Sequence, residues 1–193
     1  MKMDVLPMTA QSSDLTSEEE QDIMHHARDD LTAFAPIYEQ YFAPVYSYCL
    51  RRVDNAQEAE DLSSLIFSRA LRNVQGYQNG SVRAWLFTIA HNTIVNHYRD
   101  RKQKVSLDGT RIELADESHS PDEAFLHNER AESIREIVAT LPPDEQELLA
   151  FKVNGGLSAE EIGKVLGKKS GTVRVTLHRI IKRLRALYLE ELR

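Results

Sequence analysis

The chain has 193 residues, of which 41% are hydrophobic, and it contains only 8 glycines and 6 prolines. This composition is typical of a helical globular protein and excludes the fibrous and wholly disordered classes. The chain carries 24 Lys and Arg against 30 Asp and Glu, a net charge of −6, and no apolar run approaches the roughly 20 residues of a membrane span. The N-terminal sequence lacks the basic start and apolar centre of a secretory signal. The single cysteine, Cys49, cannot form an internal disulfide, which favours a reducing cytoplasm.

The charges alternate along the chain in four blocks. Residues 1–33 carry 2 basic and 8 acidic groups, residues 34–104 carry 9 and 6, residues 105–147 carry 3 and 12, and residues 148–193 carry 10 and 4. Two basic segments are therefore separated by an acidic one. This pattern predicts two contacts with one polyanion, such as a nucleic acid.

The first half of the chain predicts a helical domain over residues 29–104. Residues 1–28 are polar and acidic, and we interpret them as a mobile tail with some helix near its end. Apolar residues at three- and four-residue steps between 34 and 49 predict a helix that Pro44 bends or restarts. Residues 55–74 predict a second helix, and its apolar stripe is expected at Ala59, Leu62, Leu65 or Ile66, and Leu71.

A third helix is predicted over residues 82–104, after a turn signal that contains an Asn-Gly pair. Ser81 is placed to cap this helix, whose last turns are basic. Trp85 is either a core residue or a platform on which an unpaired base stacks. Asn92 has no evident packing role, which makes it the sharper candidate for contact with single-stranded nucleic acid.

The second half predicts an acidic, flexible linker over 105–128 and a second helical domain over 129–193. Within this domain, Pro142-Pro143 ends one helix and Gly155-Gly156 ends the next. No strand signal is present in either half. The predicted fold class is therefore all-α, with two small helical domains joined by the linker.

Residues 158–187 predict two short helices joined by a tight turn. Ser158 and Glu161 form a capping box, Gly167 suits a left-handed helix end, and Ser170 is placed to cap the second helix. The inner stripe of that helix is expected at Val173, Leu177, Ile180 or Ile181, Leu184 and Leu187. Its outward face is basic, as in a helix-turn-helix whose second helix enters a DNA major groove. An ordinary helical hairpin with a solvated basic face is the alternative.

Three segments carry a resemblance to a known family: "EAEDLSSLIFSRAL", "VRAWLFTIAHNTIVNHYRDR" and "LPPDEQELLAFKVNGGLSAEEIGKVLGKKSGTVRVTLHRIIKRLR". Together they resemble the extracytoplasmic-function (ECF) group of bacterial sigma-70 factors, the promoter-specificity subunits of RNA polymerase. The resemblance covers roughly residues 31–104 and 129–188. The chain departs from the family pattern at Ser64-Leu65, where Gln-Glu is common, at Arg174, where lysine is usual, and at Val175-Thr176, where Ser-Arg is usual.

The resemblance implies three sets of binding residues. Contacts with core RNA polymerase are expected at Glu60, Asp61, Leu62, Ile66 and Phe67. Contacts with the melted minus-ten element of promoter DNA are expected at Gly76, Tyr77, Asn79, Ser81, Trp85, Asn92, His97 and Arg99. Contacts with the minus-thirty-five element are expected at Lys169, Ser170, Thr172, Arg174, Val175, His178, Arg179 and Lys182. An anti-sigma factor is the further partner that the resemblance implies.

Two other functions account for less of the sequence. A helix-turn-helix regulator that acts without polymerase accounts for the second domain, but it leaves the "AEDLSSLIF" helix and the Trp85–Asn92 segment without a purpose. An enzyme is disfavoured because the seven histidines are scattered and because no phosphate loop or nucleophile elbow is present. We therefore expect no catalytic residue, no metal site and no cofactor.

Overall fold

A computed structural model of the chain describes residues 15–53, 55–108 and 128–191, and this part of the chain contains α-helices and no β-strand. The predicted all-α fold class is therefore confirmed. The helices are α1 (Ser17–His26), α2 (Ala35–Leu50), α3 (Ala56–Arg72), α4 (Val82–Asp108), α5 (Asn128–Ala139), α6 (Pro143–Val153), α7 (Ala159–Leu166) and α8 (Ser170–Glu191). Single turns of 3₁₀ helix cover Leu31–Phe34 and Val74–Gly76.

Helices α1 to α4 form the first body, in which α3 packs between α2 and α4. Helix α2 continues without interruption past Pro44, so the proline does not restart it. The sequence left two alternatives for the apolar stripe of α3. Ile66 is completely buried, whereas 37% of Leu65 is exposed.

Side-chain caps fix where these helices begin. Asn55 Oδ1 accepts a hydrogen bond from the Glu58 amide at 2.8 Å, and Ser81 Oγ accepts one from the Ala84 amide at 3.1 Å. The predicted role of Ser81 as a cap is therefore confirmed. Helix α4 continues to Asp108, four residues into the segment predicted as linker, and residues 109–127 lie outside the described part of the chain.

The prediction that residues 1–28 form a mobile tail is wrong for the second half of that segment. Thr16 and Glu19 form a capping box that starts α1, and Met24 and Ala27 are completely buried against the first body. Glu20 is also buried, where it accepts hydrogen bonds from the Tyr41 hydroxyl at 2.5 Å and from Gln40 Nε2 at 2.7 Å. Because these bonds replace water, an acidic helix can pack on the core. Residues 1–14 are outside the described part.

Helices α5 to α8 form the second body, and α8 packs against the other three. Val173, Leu177 and Ile180 of α8 are buried, whereas Ile181 is exposed. The sequence left Ile180 and Ile181 as alternatives for the inner stripe of α8, and the structure places Ile180 there.

The two bodies share one core, which the sequence did not predict. The ring of Phe151 on α6 stacks on Tyr48 of α2 at 5.2 Å and meets Phe87 of α4 edge-to-face at 6.3 Å. Beside these rings, Glu147 of α6 accepts a hydrogen bond from His91 Nδ1 at 2.8 Å. The same carboxylate lies 3.5 Å from Arg52 Nη2 and 3.4 Å from the Tyr48 hydroxyl. One carboxylate of the second body thus joins three side chains of the first.

Candidate nucleic-acid interface

An open cavity of about 360 Å³ lies between the end of α3 and the first half of α4. One aromatic ring, one guanidinium and two side-chain amides reach it. Its lining residues are Arg69, Asn73, Gly76, Trp85, Thr88, Ile89, Asn92 and Thr93.

Hydrogen bonds in the wall fix several of these side chains. Arg69 Nη1 donates to Thr93 Oγ1 at 3.0 Å, and Thr93 Oγ1 in turn donates to the Ile89 carbonyl at 2.7 Å. Asn73 Nδ2 donates to the Arg69 carbonyl at 2.7 Å, which leaves its oxygen as an acceptor. The wall thus offers a ring for stacking, amides for base edges and a cation for phosphate. Proteins bind unpaired nucleotides with groups of these three kinds.

The loop at residues 76–81 begins at the edge of the cavity, where Gly76 is a lining residue. Tyr77 is buried within it, and its ring meets Trp85 edge-to-face at 5.6 Å. The Tyr77 hydroxyl donates to the Gly80 carbonyl at 2.7 Å. Burial raises the pKa of Tyr77, so the hydroxyl stays protonated and keeps donating. Gly80 has φ of 144°, a conformation that favours glycine.

The structure brings some of the residues predicted for the minus-ten element together at the cavity and places the others elsewhere. Gly76, Trp85 and Asn92 line the cavity together, and Tyr77 lies behind Trp85. The predicted residues outside this group are Asn79 on the exposed loop, Ser81 in the cap of α4, His97, and Arg99. His97 Nε2 lies 2.7 Å from Glu58 Oε1 near the start of α3, and the exposed Arg99 pairs with Asp100.

Sequence reasoning missed five lining residues: Arg69, Asn73, Thr88, Ile89 and Thr93. A signal for them existed in the helical spacing. Arg69 on α3 and Asn73, which caps the end of that helix, are four residues apart, while Trp85, Thr88 and Asn92 follow one face of α4 at steps of three and four. Trp85 is half-buried, so it contributes both to the core and to the cavity wall.

The predicted helix-turn-helix is present in α7 and α8. Ser158 and Glu161 form the capping box, and Gly167 ends α7 in the left-handed conformation with φ of 64°. The two helices approach closely, since a Cβ on Gly163 would lie 2.6 Å from the Lys168 carbonyl oxygen. Helix α8 begins at Ser170 itself, so the serine is the first residue of the helix and the prediction that it caps the helix is wrong. This geometry is that of a motif whose second helix is free to enter a groove.

The outward face of α8 and the turn before it are open to solvent. Ser170 is half-buried, and the other predicted minus-thirty-five residues are exposed: Lys169, Thr172, Arg174, Val175, His178, Arg179 and Lys182. Five of these eight side chains are Lys, Arg or His. The structure thus places the predicted set on one accessible basic surface, which suits a phosphate-lined groove.

The five residues predicted to contact polymerase do not share one surface. Glu60 and Asp61 are exposed, whereas Leu62, Ile66 and Phe67 are buried in the first body. The buried three support α3 from within and are not available as direct contacts in this structure. The exposed apolar groups beside them are Leu65 and Tyr38, whose ring lies 4.8 Å from Phe67. Leu65 is one of the positions at which the sequence departs from the family pattern.

These features define a two-part nucleic-acid-binding protein, with a helix-turn-helix in one body and an open polar and aromatic cavity in the other. Comparison with known families agrees: the "Sigma-70 region 2" model matches residues 37–104, and the "Sigma-70, region 4" model matches residues 131–184.

Curated relatives give the same assignment. RNA polymerase sigma factor YlaC of Bacillus subtilis is 32% identical over 74% of this chain and 84% of its own length. ECF RNA polymerase sigma factor SigW of the same organism is 30% identical over 79% and 87%. ECF RNA polymerase sigma factor BldN of Streptomyces coelicolor is 31% identical over 83% of this chain, which spans 62% of BldN. The chain belongs to the ECF group of RNA polymerase sigma factors.

Two solved structures share the fold. The sigma factor RpoE of Bartonella quintana, determined in complex with the anti-sigma factor NepR, matches 80% of this chain and 95% of its own, with a TM-score of 0.64 and 24% identity. CnrH, determined in complex with the cytosolic domain of CnrY, matches 86% and 95%, with a TM-score of 0.62 and 18% identity. Within the part of this chain that the structure describes, every helix is too short or too polar to cross a membrane.

Proposed function

We propose that this protein binds core RNA polymerase, directs it to specific promoters and assists promoter melting. The observation that carries the proposal is the presence of two different nucleic-acid surfaces on one chain. The basic face of α8 suits duplex DNA, whereas the cavity between α3 and α4 suits an unstacked base. A protein that reads a promoter and also opens it needs both surfaces.

The first surface supports recognition of the minus-thirty-five element. Arg174, His178 and Arg179 are exposed at helical spacing on α8 and can reach base edges, while Lys169 and Lys182 can contact phosphates. The second surface supports melting. Extrusion of a base costs a few kcal/mol, and the ring of Trp85 with the amide of Asn92 offers stacking and hydrogen bonds in return.

The exposed face of α3 is the proposed polymerase contact. Glu60 and Asp61 supply charge there, and Leu65 supplies an accessible apolar group. Leu62, Ile66 and Phe67 act in this proposal by holding the helix on the body. Because polymerase performs the chemistry, no bond-making step is assigned to this chain, and we place its action in the cytoplasm with the polymerase.

Transcription by reconstituted polymerase tests the proposal. Purified core enzyme with this protein is expected to give abortive transcripts from some members of a genomic promoter pool. Asn92→Ala is expected to reduce product from duplex templates several-fold while polymerase binding stays unchanged. Absence of any directed initiation would refute the function. Tight promoter binding by the chain alone would instead favour the regulator that acts without polymerase, which leaves the cavity and the α3 face unexplained.

We also propose that an anti-sigma factor controls this protein. Support comes from its membership of the ECF group and from the RpoE structure, which was determined with such a partner. Purification of the tagged protein from its host, with identification of bound proteins, tests this. Recovery of polymerase subunits alone under both growth and stress conditions would contradict it.

A further inference from the structure

Two hydrogen bonds tie the 76–81 loop to the segment that follows α1. The Arg28 guanidinium donates through Nη2 to the carbonyl of Tyr77. In the opposite direction, Gln75 Nε2 donates to the carbonyl of Arg28 at 2.6 Å. The side chain and the backbone of Arg28 therefore each bond to the start of the loop, across nearly fifty residues of sequence.

Tyr77 is the residue through which these bonds reach the cavity. Its ring supports Trp85 from behind, and its hydroxyl fixes the turn at Gly80. A shift of the Tyr77 backbone would therefore move both the aromatic wall of the cavity and the loop that begins at its edge. A bond to the Tyr77 carbonyl is well placed to prevent such a shift.

Arg28 is itself held on a fixed support. Met24 and Ala27, immediately before it, are completely buried, and the buried Glu20 is bonded to Tyr41 and Gln40 of α2. The guanidinium therefore projects from the turn that directly follows α1, a helix anchored to the body. This helix precedes residue 37, where the match to sigma-70 region 2 begins.

We propose that Arg28, assisted by Gln75, is a positioning residue that holds the 76–81 loop and Trp85 in the geometry that receives an unstacked base. The proposal rests on the base-capturing role proposed above. A loop that is already ordered loses little conformational entropy when the base enters. We call the two hydrogen bonds made by Arg28 and Gln75 the clamp. Without the clamp, the loop loses its conformational entropy during promoter opening. Opening therefore slows, while duplex recognition by α8 is unaffected.

Hydrogen exchange in the full-length protein tests the clamp directly. The amides of Gly76 and Tyr77 donate to the carbonyls of Asn73 and Val74 at 2.9 and 3.1 Å, so their exchange reports on loop opening. Arg28→Met is expected to speed this exchange about tenfold or more, because a charge-assisted bond is lost. Gln75→Ala, a change at an exposed side chain, is expected to give a smaller increase in the same amides.

A matched control is Lys164→Met, which also removes one positive charge but lies on α7, where Lys164 pairs with Glu160 of its own helix. Its exchange at Gly76 and Tyr77 is expected to equal that of the wild type. Unchanged exchange at these amides in Arg28→Met, or in Gln75→Ala if Arg28→Met does not fold, overturns the clamp.

Promoter opening by the holoenzyme tests the consequence. Permanganate reactivity of thymines in the minus-ten element is expected to develop about five- to tenfold more slowly with Arg28→Met on duplex DNA. On a template whose minus-ten segment is already unpaired by mismatches, the rate of first-bond formation is expected to return to within about twofold of the wild type. Arg28→Lys keeps a hydrogen-bond donor and the charge. Its rate of promoter opening on duplex DNA is expected to lie between those of the wild type and Arg28→Met.

The two measurements separate the possible failures. If Arg28→Met lowered the rate equally on paired and unpaired templates, Arg28 would only stabilise the fold. That result would overturn the positioning role. Faster loop exchange with normal opening on duplex DNA would leave the clamp in place but refute base capture by this loop, and with it the proposed function of the cavity.

Discussion

Glu147 is the residue through which the packing of the two bodies is most directly tested. It comes from α6, yet its carboxylate bonds to His91 and lies near Arg52 and Tyr48, all from the first body. Glu147→Gln keeps the shape of the side chain and removes its charge. The variant should therefore weaken contact between the bodies without opening a void in the shared core.

The magnitude follows from the geometry. A charge-assisted hydrogen bond contributes about 1.5–3 kcal/mol, but about a fifth of the Glu147 and His91 side chains is exposed, which screens the charge. The amide of glutamine also keeps one hydrogen bond. We expect a loss of about 1–2 kcal/mol in the free energy of unfolding, which lowers Tm by about 2–8 °C for a chain of this size.

Urea unfolding of the wild type, Glu147→Gln, His91→Ala and the double variant measures this loss as a thermodynamic cycle. A coupling of about 1 kcal/mol between the two positions is expected. Glu160→Gln is the control, because Glu160 pairs with Lys164 on the surface of α7 and should cost less than about 0.5 kcal/mol. Coupling within error of zero would refute the inference that this pair joins the bodies.

The same residue gives the unfolding free energy a pH dependence. Burial acts to raise the pKa of Glu147, but the hydrogen bond from His91 and the charge of Arg52 outweigh it, and the net shift is downward. A carboxyl whose pKa is lowered by folding stabilises the protein fully above its unfolded pKa, and this contribution is lost as the pH falls through the folded value. The stability difference between wild type and Glu147→Gln should therefore shrink below about pH 4.5. A constant difference across that range would contradict this.

Three further predictions concern separate sites. Arg174→Ala should weaken recognition of the minus-thirty-five element by about 1–3 kcal/mol in promoter competition assays, and unchanged promoter preference would show that Arg174 does not contact a base. Gly163→Ala should destabilise the helix-turn-helix by about 1–3 kcal/mol in urea unfolding, because its Cβ would press on the Lys168 carbonyl. Burial raises the pKa of Cys49 to about 11, so its thiol should react with a disulfide reagent at pH 8 at least about 100-fold more slowly than in the unfolded chain; equal rates would show that the site is open.

The features that the sequence predicted well are local. A capping box such as Ser158 with Glu161, or a glycine at a left-handed helix end such as Gly167, is decided within a few residues, and both are present. Helical periodicity also placed the basic residues of α8 on one face, because 100° per residue leaves few alternatives once Val173 and Leu177 are inward.

The features that it missed depend on contacts between distant segments. The packing of α1 was not predicted because its acidic composition is typical of a solvated tail. The side chains that hydrogen-bond to Glu20 lie twenty residues or more away in the sequence. Neither Glu147 nor His91 shows a periodic pattern that reveals their contact across 56 residues. For α3, periodicity alone could not separate Leu65 from Ile66, since both lie near the edge of the same stripe and only the packing of α2 and α4 decides between them.

The single core shared by the two bodies has a consequence for any promoter complex. Sites centred near positions minus ten and minus thirty-five are separated by about 85 Å of B-form DNA at 3.4 Å per base pair. A compact chain of 193 residues has a radius of gyration of only about 16 Å. If one molecule reads both sites, the ring of Phe151 must first separate from those of Tyr48 and Phe87. The free energy of that separation then reduces the affinity for polymerase. Residues that contact neither the enzyme nor the DNA thus help to set the concentration at which the protein binds polymerase.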